Sequence, residues 1–131
     1  MTFELMMLTL STIFGFAQIV LASHAASLQR GYRWTASARD EVLPPLTGVA
    51  GRLARAQVNF NETFPYFAAA VLAAHAVGIH DWRTHWGVAL YFAARLAYVP
   101  LYAFGVPLLR SLVWNVAFVG VALLLWAAAL P

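Results

Sequence analysis

The chain has 131 residues, 63% hydrophobic and only 10% charged, where a soluble domain carries about 25% charged residues; this composition excludes an ordinary soluble domain and predicts an integral membrane protein. Cysteine is absent, which removes disulfides, thiolate metal sites and cysteine nucleophiles together. All eight basic residues are arginine and the net charge is +3. Permanent guanidinium cations suit bidentate recognition of carboxylates better than proton transfer, and their scatter among apolar tracts argues against nucleic acid as a partner.

In chain order, the first apolar tract predicts a helix over residues 3–29. Its length exceeds the roughly 7 to 15 residues of a signal-peptide core, and it opens on Glu4 with no basic residue, so cleavage after ASHAAS is not expected. A polar loop over 30–49 follows and carries Arg30, Arg33 and Arg39. Pro44 and Pro45 bar a helix there, and Gly48 and Gly51 precede a restart that predicts the second helix over 50–79. Pro65 is expected to kink that helix, and Pro100 and Pro107 to do the same near the end of a third helix over 84–104. A fourth is expected over 110–130. Each tract approaches the roughly 20 residues that a bilayer core requires. The expectation is therefore an all-α, integral membrane four-helix bundle forming one domain over 1–131. The first and third loops, with their helix edges, hold six arginines against Arg83 alone in the second. By the positive-inside rule the first loop faces the cytoplasm and both termini face away from it, in the periplasm of a bacterial inner membrane.

The stretch RAQVNFNETFP raises the functional question, because it carries charge into an apolar helix. At 3.6 residues per turn, Arg52, Arg55, Asn59, Glu62 and Tyr66 form one stripe, while Asn61 points elsewhere. A second stripe comprises Tyr91, Arg95, Tyr98 and Tyr102. A charge facing lipid costs at least a few kcal/mol, so both stripes should face a partner helix or a wet cavity, and each other. The plain alternative is a structural ion pair between Glu62 and Arg95. Against it, Arg52, Arg55, Arg95 and Arg110 are more cations than one carboxylate absorbs. Excess fixed positive charge beside one carboxylate and several phenols fits a small anion that also bears an ammonium group.

RAQVNFNETFPYF, with Arg52 three positions before it, and YFAARLAYVPLYAFGVPLLRS resemble the second and third helices of the MAPEG family, the membrane-associated proteins in eicosanoid and glutathione metabolism. The likeness is greatest to the leukotriene C synthase branch, while SARDEVLPPLTGVAGR reads like bacterial members. The resemblance implies a homotrimer with glutathione sites between neighbouring subunits, open to the cytoplasm. It implies that Arg55 holds a glutathione carboxylate, that Asn59 hydrogen-bonds the tripeptide backbone and that Glu62 takes its α-ammonium. Arg52, Gln57, Arg95, Tyr98 and Tyr102, and more loosely Arg30, match positions around that site. Arg110, just before Ser111, matches the arginine that stabilises the thiolate. Two departures stand out: Thr63 replaces the branch's tyrosine after the glutamate, and the spacing from Tyr102 to Arg110 differs by one residue.

The function so implied is a membrane-bound glutathione-dependent transferase, with peroxidase activity as a further option, acting on a hydrophobic small molecule or lipid delivered from the surrounding membrane lipids. The alternative is a non-catalytic lipid-binding or scaffold member of the same family. A small multidrug-type transporter would hold its acid deep in the bundle, whereas Glu62 lies among arginines near one membrane face. No metal is expected. His24 and His75 have no second ligand at i+3 or i+4 and are expected to pack, and His80 and His85 to meet water. Trp82, Trp86, Trp114 and Trp126 suit interfacial belts or packing, and Asn115 a bond to a neighbouring helix.

Overall fold

The computed structural model describes residues 1–130. Among them the fold is all-helical, without strands. The elements are α1 (Phe3–Arg30), a single-turn α2 (Tyr32–Thr35), α3 (Gly48–Ala76), α4 (Trp82–Ala103) and α5 (Pro107–Ala129). Helices α1 and α5 are long and apolar enough to cross a membrane. The more polar α3 and α4, which carry the two stripes, fall outside that description.

Local chemistry sets the ends. Thr2 caps α1 by accepting the Leu5 N–H, and Gly31, at φ +93°, turns the chain out while donating to the Ser27 carbonyl. Asp81 opens α4 with a reciprocal cap: its side chain accepts from Arg83 and Thr84 backbone N–H groups, and Thr84 Oγ1 accepts the Asp81 N–H. Two sequence expectations change. The loop contains α2, whose four residues are too few for a periodic signal. Pro107 does not disturb the end of α4 but occupies the first turn of α5, where its missing N–H costs nothing. Helix α3 runs from Gly48 to Ala76 with Pro65 inside it.

Helix α3 packs on α1, α4 and α5; α4 packs most extensively on α5; and α1 also touches α4. The core gathers Phe67, Ala70 and Val71 of α3, Val88, Tyr91 and Ala94 of α4, and Ala117 and Leu124 of α5. At its centre Phe67 and Tyr91 stack with centroids 3.8 Å apart and planes 8° from parallel. Close approach of α4 and α5 depends on two glycines. A methyl group at Gly120 would lie 2.6 Å from the Gly87 carbonyl oxygen, and one at Gly87 would lie 2.9 Å from the Gly120 carbonyl oxygen. Without those side chains the two backbones meet, and the faces of α4 and α5 that flank the contact are held in fixed register.

Candidate functional site

The α3 stripe lies along the α4 stripe. Arg52 Nε donates to the Ala103 carbonyl at 2.7 Å, which ties the start of α3 to the end of α4. One turn on, Arg55 Nε donates to Tyr102 Oη at 3.3 Å. Deeper still, Arg95 Nη1 donates to Asn59 Oδ1 at 2.8 Å and Arg95 Nη2 donates to Thr63 Oγ1. Thr63 Oγ1 also lies 3.2 Å from Tyr91 Oη. The two antiparallel helices thus bring Arg52, Arg55, Asn59, Arg95, Tyr98 and Tyr102 onto one seam. Helix α5 adds Arg110, whose guanidinium lies 4.6 Å from the centre of the Tyr102 ring.

Arg95 is 2% exposed, a costly position for a cation. Glu62, its partner in the plain alternative, makes no ion pair with it among the described residues. An amide and a hydroxyl hold it instead, the rings of Tyr91 and Tyr98 lie 5.5 Å and 5.3 Å from its charge, and its Nε has no partner among the described residues. The physical reason is helical phase. Asn59 and Thr63 are four residues apart and share a face, whereas Glu62 is turned about 100° from Thr63. Glu62 is therefore left exposed beside the seam, with no ion pair among the described residues.

Three adjoining clefts lie along α3, α4 and α5. The first, about 180 Å³, is lined by Arg52, Arg55, Tyr102 and Arg110, with Gly105 and Pro107 at its edge. Arg110 also lines the second, about 230 Å³, with Asn59, Tyr98, Ser111, Trp114 and Asn115. Asn59 and Trp114 continue into the third, about 360 Å³, which Glu62, Thr63, Tyr66, Tyr91 and Arg95 share with the apolar α5 side chains Ala117, Phe118, Val121 and Leu125. The walls thus change from cationic to mixed to largely apolar. Such an arrangement can hold an anionic head at one end and a greasy molecule at the other. Three guanidinium groups without an acidic partner among the described residues supply the first end.

Two residues of the expected set lie outside these walls. Gln57 is turned about 200° from Arg55 on α3, away from the seam. Arg30 sits at the end of α1 with its guanidinium 5.0 Å from the Trp34 ring centre, and its Nε has no partner among the described residues. Conversely, Thr63, Tyr91, Trp114 and Phe118 were not expected in the site. For Tyr91 the signal existed, since it shares the Arg95 stripe; for Thr63 only its hydrogen bonds reveal the role. Asn115, expected to bond a neighbouring helix, donates within its own helix to the Ser111 carbonyl at 2.9 Å.

The opposite end holds a second polar group, and here too an expectation changes. His80 and His85 do not simply meet water: their Nδ1 atoms lie 3.3 Å and 3.4 Å from the carboxylate of Glu4, which is 3% exposed and accepts a 2.7 Å hydrogen bond from Thr84 Oγ1. Nearby, the Arg83 side chain hydrogen-bonds Asp81 and holds its carboxyl below the usual carboxylate range. Among the described residues no three histidine or acidic side chains are grouped to hold a metal ion.

Residues 7–130 match the model of the MAPEG family. No individual curated protein matches the chain.

Proposed function

The chain belongs to the MAPEG family, and from that premise we propose that it is a membrane-bound glutathione-dependent transferase that joins the glutathione thiolate to a hydrophobic electrophile. One observation carries the reading: guanidinium groups and Glu62, none of them ion-paired among the described residues, flank three clefts that share wall residues and end in an apolar one. That is the charge pattern of a small zwitterion with a net negative charge, placed beside room for a greasy co-substrate.

In this reading Arg52 and Arg55 receive carboxylates, and Glu62 receives the α-ammonium group. Asn59 keeps its amide N–H donors for the tripeptide backbone, since Arg95 occupies its oxygen. Tyr98 and Tyr102 line the sulfur end together with Arg110. A free thiol has a pKa near 8.5 and is mostly protonated at pH 7, while the thiolate is the nucleophile. The Arg110 guanidinium stabilises the anion without surrendering a proton, at about 1.4 kcal/mol per pKa unit of depression. The thiolate forms a bond to the electrophilic carbon, and the leaving group departs with its electron pair. Peroxidase chemistry is open to the same thiolate.

A homotrimer in the bacterial inner membrane, four membrane helices per subunit, cytoplasmic first loop and periplasmic termini, completes the proposal. Gln57 and Arg30 fit it: outside the cleft of their own chain, they become candidates for the cleft of a neighbour when sites lie at subunit seams. The reading is tested by titrating detergent-solubilised protein with glutathione and then assaying chlorodinitrobenzene turnover. Saturable binding and turnover are expected; absence of glutathione binding overturns it. The apolar cleft also suits a non-catalytic lipid-binding or scaffold role, and lipid binding without any glutathione binding is the result that would favour it.

A further inference from the structure

One charge in the bundle is held in a way that stability alone does not favour. Arg95 is 2% exposed, and among the described residues no carboxylate pairs with it. A guanidinium taken out of water ordinarily meets an acid, because a counter-charge at hydrogen-bond distance offsets part of the lost hydration. Arg95 meets neutral groups instead: Nη1 donates to Asn59 Oδ1 at 2.8 Å, Nη2 donates to Thr63 Oγ1, and Nε has no partner among the described residues. Aspartate has almost the shape of asparagine, so at position 59 it would bring the missing charge to the same oxygen. The neutral amide is thus the less stabilising side chain at this spot, and its use lies on its other side. Asn59 is half-buried and lines both the second and the third cleft. With its oxygen held by a cation it has N–H donors to offer there, and the cation behind the oxygen polarises the amide and strengthens them. Arg95 borders the third cleft too, but at 2% exposure its engaged NH2 groups present almost nothing to a ligand.

We infer that Arg95 is a positioning residue, which acts on a bound anion through Asn59 and not by contact, and that asparagine stands at position 59 because it leaves the Arg95 charge unneutralised. The identity of the anion rests on the glutathione-transferase reading. A carboxylate at position 59 would satisfy Arg95, but it would also remove both N–H donors and set a negative charge beside the clefts. Stability and anion affinity therefore pull this position in opposite directions. Acting through Asn59 also means coupling: loss of Arg95 matters while the amide is present and adds little once the amide is gone. A residue that touched the ligand itself would weaken binding in either background.

The test measures glutathione Kd by calorimetry, and detergent-state Tm without ligand, in the wild type, Asn59→Asp, Asn59→Ala, Arg95→Met and the variant that combines Asn59→Ala with Arg95→Met. Asn59→Asp should raise Tm by a few degrees and weaken glutathione by about tenfold or more. Arg95→Met should weaken glutathione by about tenfold in the wild-type background, and by less than about twofold when position 59 is already alanine. Equal losses in the two backgrounds make Arg95 a contact residue and overturn the inference. An Asn59→Asp protein that is no more stable than the wild type, or that keeps its glutathione affinity, overturns it as well, and this arm decides the matter if Arg95→Met does not fold. Each of these failures, with wild-type binding intact, leaves the transferase reading standing. A wild type that binds no glutathione removes both.

Discussion

The two ends of this molecule treat charge in opposite ways. At the Glu4 end, polar groups consume one another: carboxylate, Thr84 hydroxyl, two imidazoles and the Asp81–Arg83 pair close into a set with little left over. At the other end Arg52, Arg55 and Arg110 face a backbone carbonyl and phenol rings, and no acid among the described residues. Closed sets of this kind stabilise a fold, whereas charge left over beside a cleft is affinity held for something from outside. The comparison separates two clusters that look equally polar in a residue count.

The largest effect that would sharpen this contrast is on turnover. Arg110→Ala should lower kcat by about 10²-fold or more, the loss typical of removing one stabiliser of a developing or bound anion, with a smaller change in glutathione Kd. An unchanged kcat at saturating glutathione breaks the assignment. Next is Gly120→Ala, which forces a methyl group against the Gly87 carbonyl and the Tyr91 backbone N–H. It should destabilise the protein by about 1–3 kcal/mol, read as a drop in detergent-state Tm. Glu4→Ala should cost a similar or smaller amount, about 1–3 kcal/mol for stranding the buried Thr84 hydroxyl, with glutathione affinity unaltered; a matching loss of affinity would erase the distinction between the ends. Glu62→Gln should weaken glutathione about tenfold, or about 1.4 kcal/mol, with little change in Tm, because the carboxylate has no ion-pair partner to lose among the described residues.

The smallest effect concerns pH. The folded Asp81 carboxyl titrates below its ordinary value of 3.8, chiefly through its hydrogen bond from Arg83. A depressed carboxyl adds stability above about that pH and loses the contribution as pH falls through the folded value. The fall in Tm between pH 5 and pH 3 should therefore be slightly shallower in Asp81→Asn than in the wild type.

Much of the site was legible because helical phase is local. Spacings of three and four placed Arg52, Arg55 and Asn59 on one face and Tyr91, Arg95, Tyr98 and Tyr102 on another, and the structure brings those faces together. The choice of partners was not legible. Arg95 meets Asn59 and Thr63 and not Glu62, because hydrogen bonding depends on a rotation that opposite charge does not reveal. Glu4 and Thr84 are 80 positions apart, so no local pattern links them. Helix ends were readable where glycine or proline punctuates them, as at Gly48. The proline at 107 misled because the same rigid ring serves as a helix stop and as a helix start.

Gly120 carries one further consequence. A methyl group there would lie 2.9 Å from the Tyr91 nitrogen and 3.3 Å from its Cβ, so a missing side chain on α5 fixes how far a ring on α4 can sit back from the opening. The position of the Tyr91–Phe67 stack is therefore tied to a hydrogen atom on another helix, and a substitution with no polar group of its own would move it.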